Sequence, residues 1–175
     1  MRKLIVPLVL FIVATASPAV AGGFRAELHG GWDRLENDFL GGGESGVSYG
    51  ISLGYDFDIT EHFFMGIEGG VDDSTTKECF LGTCLKAGLD VGGVVRIGYQ
   101  IREAKLYAIG GYSHAKLTLV DDLGSISDWG DGWRVGIGYE LNFESGVYAK
   151  IEYRYTNYEA GFERQAVIVG VGYQF

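Results

Sequence analysis

The side chains best suited to acid-base, nucleophilic or metal chemistry in this sequence are three histidines, two cysteines and a scatter of carboxylates. Nucleophilic catalysis needs a nucleophile and a base held within hydrogen-bond reach of each other. Ser113 directly precedes His114, but neighbours along a strand point to opposite faces, so the two make a geometrically poor pair. His62 falls in a short turn. His29 and His114 are expected on an inward strand face, in hydrogen-bonded structural roles. Cys79 and Cys84 flank the segment from Phe80 to Thr83, and in an exported chain they read as a local disulfide. So short a loop gains less than the roughly 3 kcal/mol expected for a 15-residue one, and its use is to shape a loop tip. Two thiols with no nearby histidine complete no zinc coordination sphere. Asp121, Asp122, Asp128 and Asp131 offer oxygen ligands, but their spacing matches no calcium-binding loop. The expectation is therefore no enzyme, no cofactor and no metal.

The segments that would carry these residues begin with an export signal. Arg2 and Lys3 precede an apolar run from Leu4 to Val13, and Ala19 and Ala21 occupy the small positions of an Ala-x-Ala cleavage site. Residues 1–21 are expected to be removed, leaving one domain over 22–175. No later stretch approaches the roughly 20 apolar residues of a spanning helix. The formal charge is −9 and no basic face exists, which argues against nucleic acid as a partner. With 29 glycines, two prolines and 14% aromatic residues, the chain suits many strands joined by turns.

From Val47 to Ile59 large apolar residues alternate strictly with serine, glycine and aspartate. Similar alternation places eight strands: Phe24 to Asp33, Val47 to Ile59, Phe63 to Asp72, Leu85 to Ile101, Lys105 to Leu119, Trp133 to Leu141, Val147 to Tyr155 and Gln165 to Phe175. The connections run long, short, long, short, long, short and moderate, which suits an antiparallel up-and-down meander. The polar face carries glycines interleaved with Arg25, Glu27, Glu68, Lys86, Asp90, Arg96, Arg134, Glu140, Lys150, Glu152 and Arg154. In a soluble barrel such as a lipocalin, the bulky apolar face would point inward and overfill a bore only just wide enough for side chains to fill. Hydrocarbon can take that face instead, while the glycines make room for charges within. Aromatic residues gather toward strand ends: Tyr55, Phe57, Phe63, Tyr99, Tyr107, Tyr139, Tyr173 and Phe175 at one end, Trp32, Tyr49, Trp133, Tyr153 and Tyr155 at the other. Two such belts are what a bilayer selects. A sheet in hydrocarbon must have no edge, so the fold expected is all-β: an eight-stranded antiparallel up-and-down transmembrane β-barrel.

The inward charges nearly balance, and stripping them of water costs several kcal/mol each unless they are paired. A self-plugging lattice of salt bridges is the leading expectation for the lumen, with a narrow or gated ion path as the alternative. Further acids, Glu36, Asp38, Glu44, Asp73, Glu78, Glu159 and Glu163 among them, fall in the long connections and imply four acidic, solvated loops.

On the segments Lys105 to Ala115, Gly132 to Glu140, Ala149 to Tyr158 and Val169 to Phe175, the chain resembles the small outer membrane β-barrels of Gram-negative bacteria. These are the OmpA-like transmembrane domains and the opacity-type and alphaproteobacterial porin-family proteins. The resemblance implies location in the cell outer membrane, contact with its lipid and lipopolysaccharide, and a surface or envelope ligand of the host or cell. It also implies that the barrel-assembly machinery transiently reads Tyr173 and Phe175 as an assembly signal. Because the sequence ends at Phe175, no peptidoglycan-binding domain is expected. The stretch His114, Ala115, Lys116 lacks the His-x-Ser motif of lipid A deacylase barrels.

Overall fold

A computed structural model describes residues 22–37, 42–80, 83–121, 124–159 and 161–175. The expected export segment, Asp38 and Asp122 lie outside them. Among the described residues nine strand segments follow one another: β1 (Gly22–Asn37), β2 (Gly42–Asp58), β3 (Phe63–Ser74), β4 (Lys77–Phe80), β5 (Thr83–Ile101), β6 (Ala104–Asp121), β7 (Gly124–Asn142), β8 (Val147–Tyr158) and β9 (Phe162–Gln174). Every pairing is antiparallel. β3 pairs with β5 and β1 with β9, so eight staves form a closed ring. The ninth segment, β4, pairs only with the outer part of β5. Closure extends past the last strand, where the Phe175 amide donates to the Phe24 carbonyl at 2.8 Å.

The strands run beyond the ends that alternation marks. β1 and β2 stay paired out to Asn37 and Gly42, and β6 and β7 out to Asp121 and Gly124. Much of the expected long connections is therefore protruding ladder. Glu36, Glu44, Asp73, Asp131 and Glu163 sit within strands, and the expected moderate connection from Thr156 to Arg164 is a turn around Glu159 and Gly161. The physical reason is that alternation reports the hydrocarbon boundary. Backbone pairing has no need to stop there. The short turns, at 59–62, 102–103 and 143–146, all lie at the opposite end.

Outward positions include Leu28, Ile51, Ile67, Ile97, Leu106, Ile137, Val169 and Val171, each more than half exposed. Water would reject so continuous an apolar belt, whereas lipid accepts it. Of the aromatic residues assigned to the two belts, Tyr107 is the exception, because it is buried inside the barrel. β6 presents Lys105, Tyr107, Ile109, Ser113 and Ala115 inward and Leu106, Tyr112 and His114 outward, so His114 also faces out, contrary to expectation. Both faces of this strand are largely apolar or glycine, which hides the register in the sequence. Inside, Lys105 reaches Asp56 and Ser113 reaches Asp90, and these bonds decide it. The Cys79 backbone sits directly opposite Cys84 in the β4–β5 ladder, while their side chains lie outside the described residues.

Candidate functional site

Small inward residues leave space along the axis, and long side chains from every stave fill it. At the short-turn end Phe64, Tyr107 and Tyr148 are buried and form an aromatic floor. Two of them lean over cross-strand glycines, Tyr107 over Gly138 and Tyr148 over Gly172. A Cβ at Gly172 would lie 2.3 Å from the Tyr148 ring, so only glycine fits there. Cations stack on the floor from above: the Arg25 guanidinium is 4.4 Å from the Tyr148 centroid and that of Arg96 is 4.1 Å from Tyr107.

Above the floor, Glu140 receives Arg25 at 2.9 Å and Arg96 at 3.1 Å, and Lys105 bridges Glu140 and Asp56. Lys150 lies 2.8 Å from Glu27 and within 4 Å of Glu68 and Glu152. The hydroxyls of Tyr107 and Tyr148 donate to Glu152 and Glu27. Arg154 pairs with Glu152 and Asp72, and the His29 ring lies between Glu27 and Asp72. Nearer the rim, Asp90 accepts from Ser113, Arg134, Tyr158 and Arg164. Asp33 accepts from Arg164, Ser74 and Thr76, with Leu35 buried just beyond.

Arg25, Glu27, Glu68, Asp90, Arg96, Arg134, Glu140, Lys150, Glu152 and Arg154 thus all point into the lumen, each less than one-tenth exposed. The side chain of Lys86 lies outside the described residues. The structure adds Asp33, Asp56, Asp72, Lys105 and Arg164 to them. Asp56 stood on the polar face of its alternating strand and was legible there. Lys105 was hidden by the ambiguous face of β6, and Arg164 by a strand end that looked like a loop. Among the described residues, eight buried carboxylates meet seven buried lysines and arginines, with His29 between two of the carboxylates. Such a set is stable in a low-dielectric interior because each charge has an opposite neighbour.

Outside the wall, His114 Nδ1 hydrogen-bonds Asp131 and its ring stacks on Trp129 at 4.6 Å. Ser113 points the other way, into the lumen, so no Ser-His pair forms. Tyr173 and Phe175 lie outward, with ring centroids 4.9 Å apart.

A closed eight-stave barrel with an apolar exterior and an ionic interior matches the outer membrane protein β-barrel domain family over residues 4–175. The chain belongs to that family. A 25 kDa outer-membrane immunogenic protein of Brucella ovis is 27% identical over 157 residues, covering 89% of this chain and 78% of the relative. Among solved structures, the attachment invasion locus protein Ail of Yersinia pestis superposes with a TM-score of 0.64 at 16% identity, covering 88% of this chain and 99% of Ail. The outer membrane enzyme PagL superposes with a TM-score of 0.51 at 15% identity, covering 86% and 98%. At these identities the two structures speak for the fold alone. The family member described here is an outer membrane β-barrel protein, and the apolar belt is its lipid-facing wall.

Proposed function

We propose that this outer membrane barrel is a non-enzymatic, self-plugged body that adds to envelope integrity and presents its acidic rim to surface ligands. The observation that carries this reading is the filling of the lumen. Between the aromatic floor and the Asp33 and Asp90 cluster lie two small cavities of about 10 Å³ each, roughly one water apiece. Neither admits a hydrated ion. Lateral support comes from the ring of paired charges, which ties all eight staves together across the axis. The rim supplies Glu36, Glu44, Asp73, Asp131 and Glu163 on paired strands and Glu159 in the turn between β8 and β9. The name of the Brucella relative, an immunogenic outer-membrane protein, supports display of this rim at the surface.

Lipid and lipopolysaccharide surround the wall in this reading, and the outward Tyr173 and Phe175 serve the assembly machinery instead of the interior packing. Purified protein reconstituted in planar bilayers is expected to give no steady conductance; reproducible channel steps would replace the plug by a narrow channel. Lipid A from cells expressing the protein should keep its mass spectrum. A new acylation or deacylation product would make the barrel an enzyme.

A further inference from the structure

The lumen network divides into two blocks. The inner block joins Arg25, Glu27, His29, Asp56, Glu68, Asp72, Arg96, Lys105, Glu140, Lys150, Glu152 and Arg154 through direct ion pairs and hydrogen bonds. The outer block joins Asp33, Asp90, Ser113, Arg134, Thr156, Tyr158 and Arg164 in the same way. Among the described residues, no direct hydrogen bond or ion pair between the blocks is found.

The two internal cavities lie on this seam. One is lined by Ser48, Asp72, Arg134, Arg154, Thr156 and Arg164. The other is lined by His29, Ser52, Glu68, Asp72, Arg134 and Arg154. Seven buried side-chain polar atoms of the described residues lack a hydrogen-bond partner. Five of them belong to ion pairs: Arg25 Nε with Glu68, Arg96 Nε with Asp56 Oδ1, Glu140 Oε1 with Lys105, and Lys150 Nζ with Glu27. The remaining two are the hydroxyls of Ser48 and Ser52, four residues apart on the inward face of β2. Each lines a different one of the two cavities. A buried hydroxyl without a partner is costly, and a polar cavity of this size with several hydrogen-bonding groups is what an ordered water needs.

We infer that Ser48 and Ser52 each hold one internal water, and that these two waters join the inner and outer blocks into a single network. Each water accepts from Arg134 of the outer block, which lines both cavities, and donates to Asp72 of the inner block, completing the contacts the serine begins. This inference rests on the plugged lumen, since an open pore would replace two fixed waters by a mobile column. The plug is then two ionic blocks with a wet joint on the rim side of His29 and Arg154.

A crystal structure of the full barrel at a resolution that shows solvent tests this directly. One water peak is expected within hydrogen-bond distance of Ser48 Oγ and one of Ser52 Oγ. Ser48→Val and Ser52→Val should each lose their own peak and keep the other. Empty cavities, or serine hydroxyls turned onto Asp72 or Glu68 with no solvent beside them, would overturn the inference, as would a valine variant that keeps both peaks. The wild-type map decides the matter even where a variant fails to fold. Bilayer conductance reports separately on the plug: a silent barrel with empty cavities leaves the plug standing and removes the waters.

Discussion

Arg96 has no exposed side-chain surface, and its guanidinium lies between Glu68, Glu140 and the Tyr107 ring. Arg96→Leu leaves those carboxylates short of a cation in a medium that cannot hydrate them. The expected cost is about 3 to 5 kcal/mol, read as a fall in the urea midpoint of the reconstituted barrel. Glu152→Leu should act likewise, taking one carboxylate from both Arg154 and Lys150 and the acceptor of the Tyr107 hydroxyl. His114 offers the contrast. Its bond to Asp131 is half exposed, so His114→Ala is expected to change stability by no more than about 1 kcal/mol. Equal midpoint shifts for Arg96→Leu and His114→Ala would contradict the assignment of one to the interior and the other to the exterior.

Two glycines separate backbone need from empty space. Gly161, in the turn between β8 and β9, has φ of +77° with no atom near the place an added methyl would take, so Gly161→Ala meets only backbone strain. A loss of about 1 kcal/mol is expected from the left-handed conformation. Gly110, extended and outward on β6, also has open space around it, and Gly110→Ala should be neutral or stabilising. Thermal unfolding of the two variants side by side checks the difference, and a larger loss at Gly110 would contradict the outward face of β6. That face is the element least legible in the sequence. Val47 to Ile59 alternates so cleanly that its inward side is plain, whereas Leu106 to Tyr112 offers apolar or glycine residues on both sides. A shift of one residue inverts a strand, which is why the ambiguity displaced Tyr107, His114 and Lys105 together.

Across the barrel as a body, closure depends on β1 meeting β9, and Phe175 lies at that seam. Its ring packs near Phe24 and Tyr173 on the lipid side, with centroid distances of 5.9 and 4.9 Å. Deletion of Phe175 is expected to lower the amount of folded protein in the outer membrane, seen as loss of the heat-modifiable gel band. The unfolding midpoint of barrel refolded in detergent should move little, because the ring fills no part of the lumen. A normal membrane level would remove the assembly role, and a large drop in that midpoint would make the residue structural instead.

Strand number, antiparallel order, membrane crossing and the inward placement of most charges were all present in the chain of residues, because each follows from period-two alternation and the demands of hydrocarbon on a backbone. The partners of those charges were not. Asp33 finds Arg164 far along the chain, and Asp90 gathers Ser113, Arg134, Tyr158 and Arg164 from four staves. Such meetings depend on the stagger and diameter of the closed ring, quantities that no local pattern encodes. Alternation says which way a side chain points; closure sets what it meets across the axis.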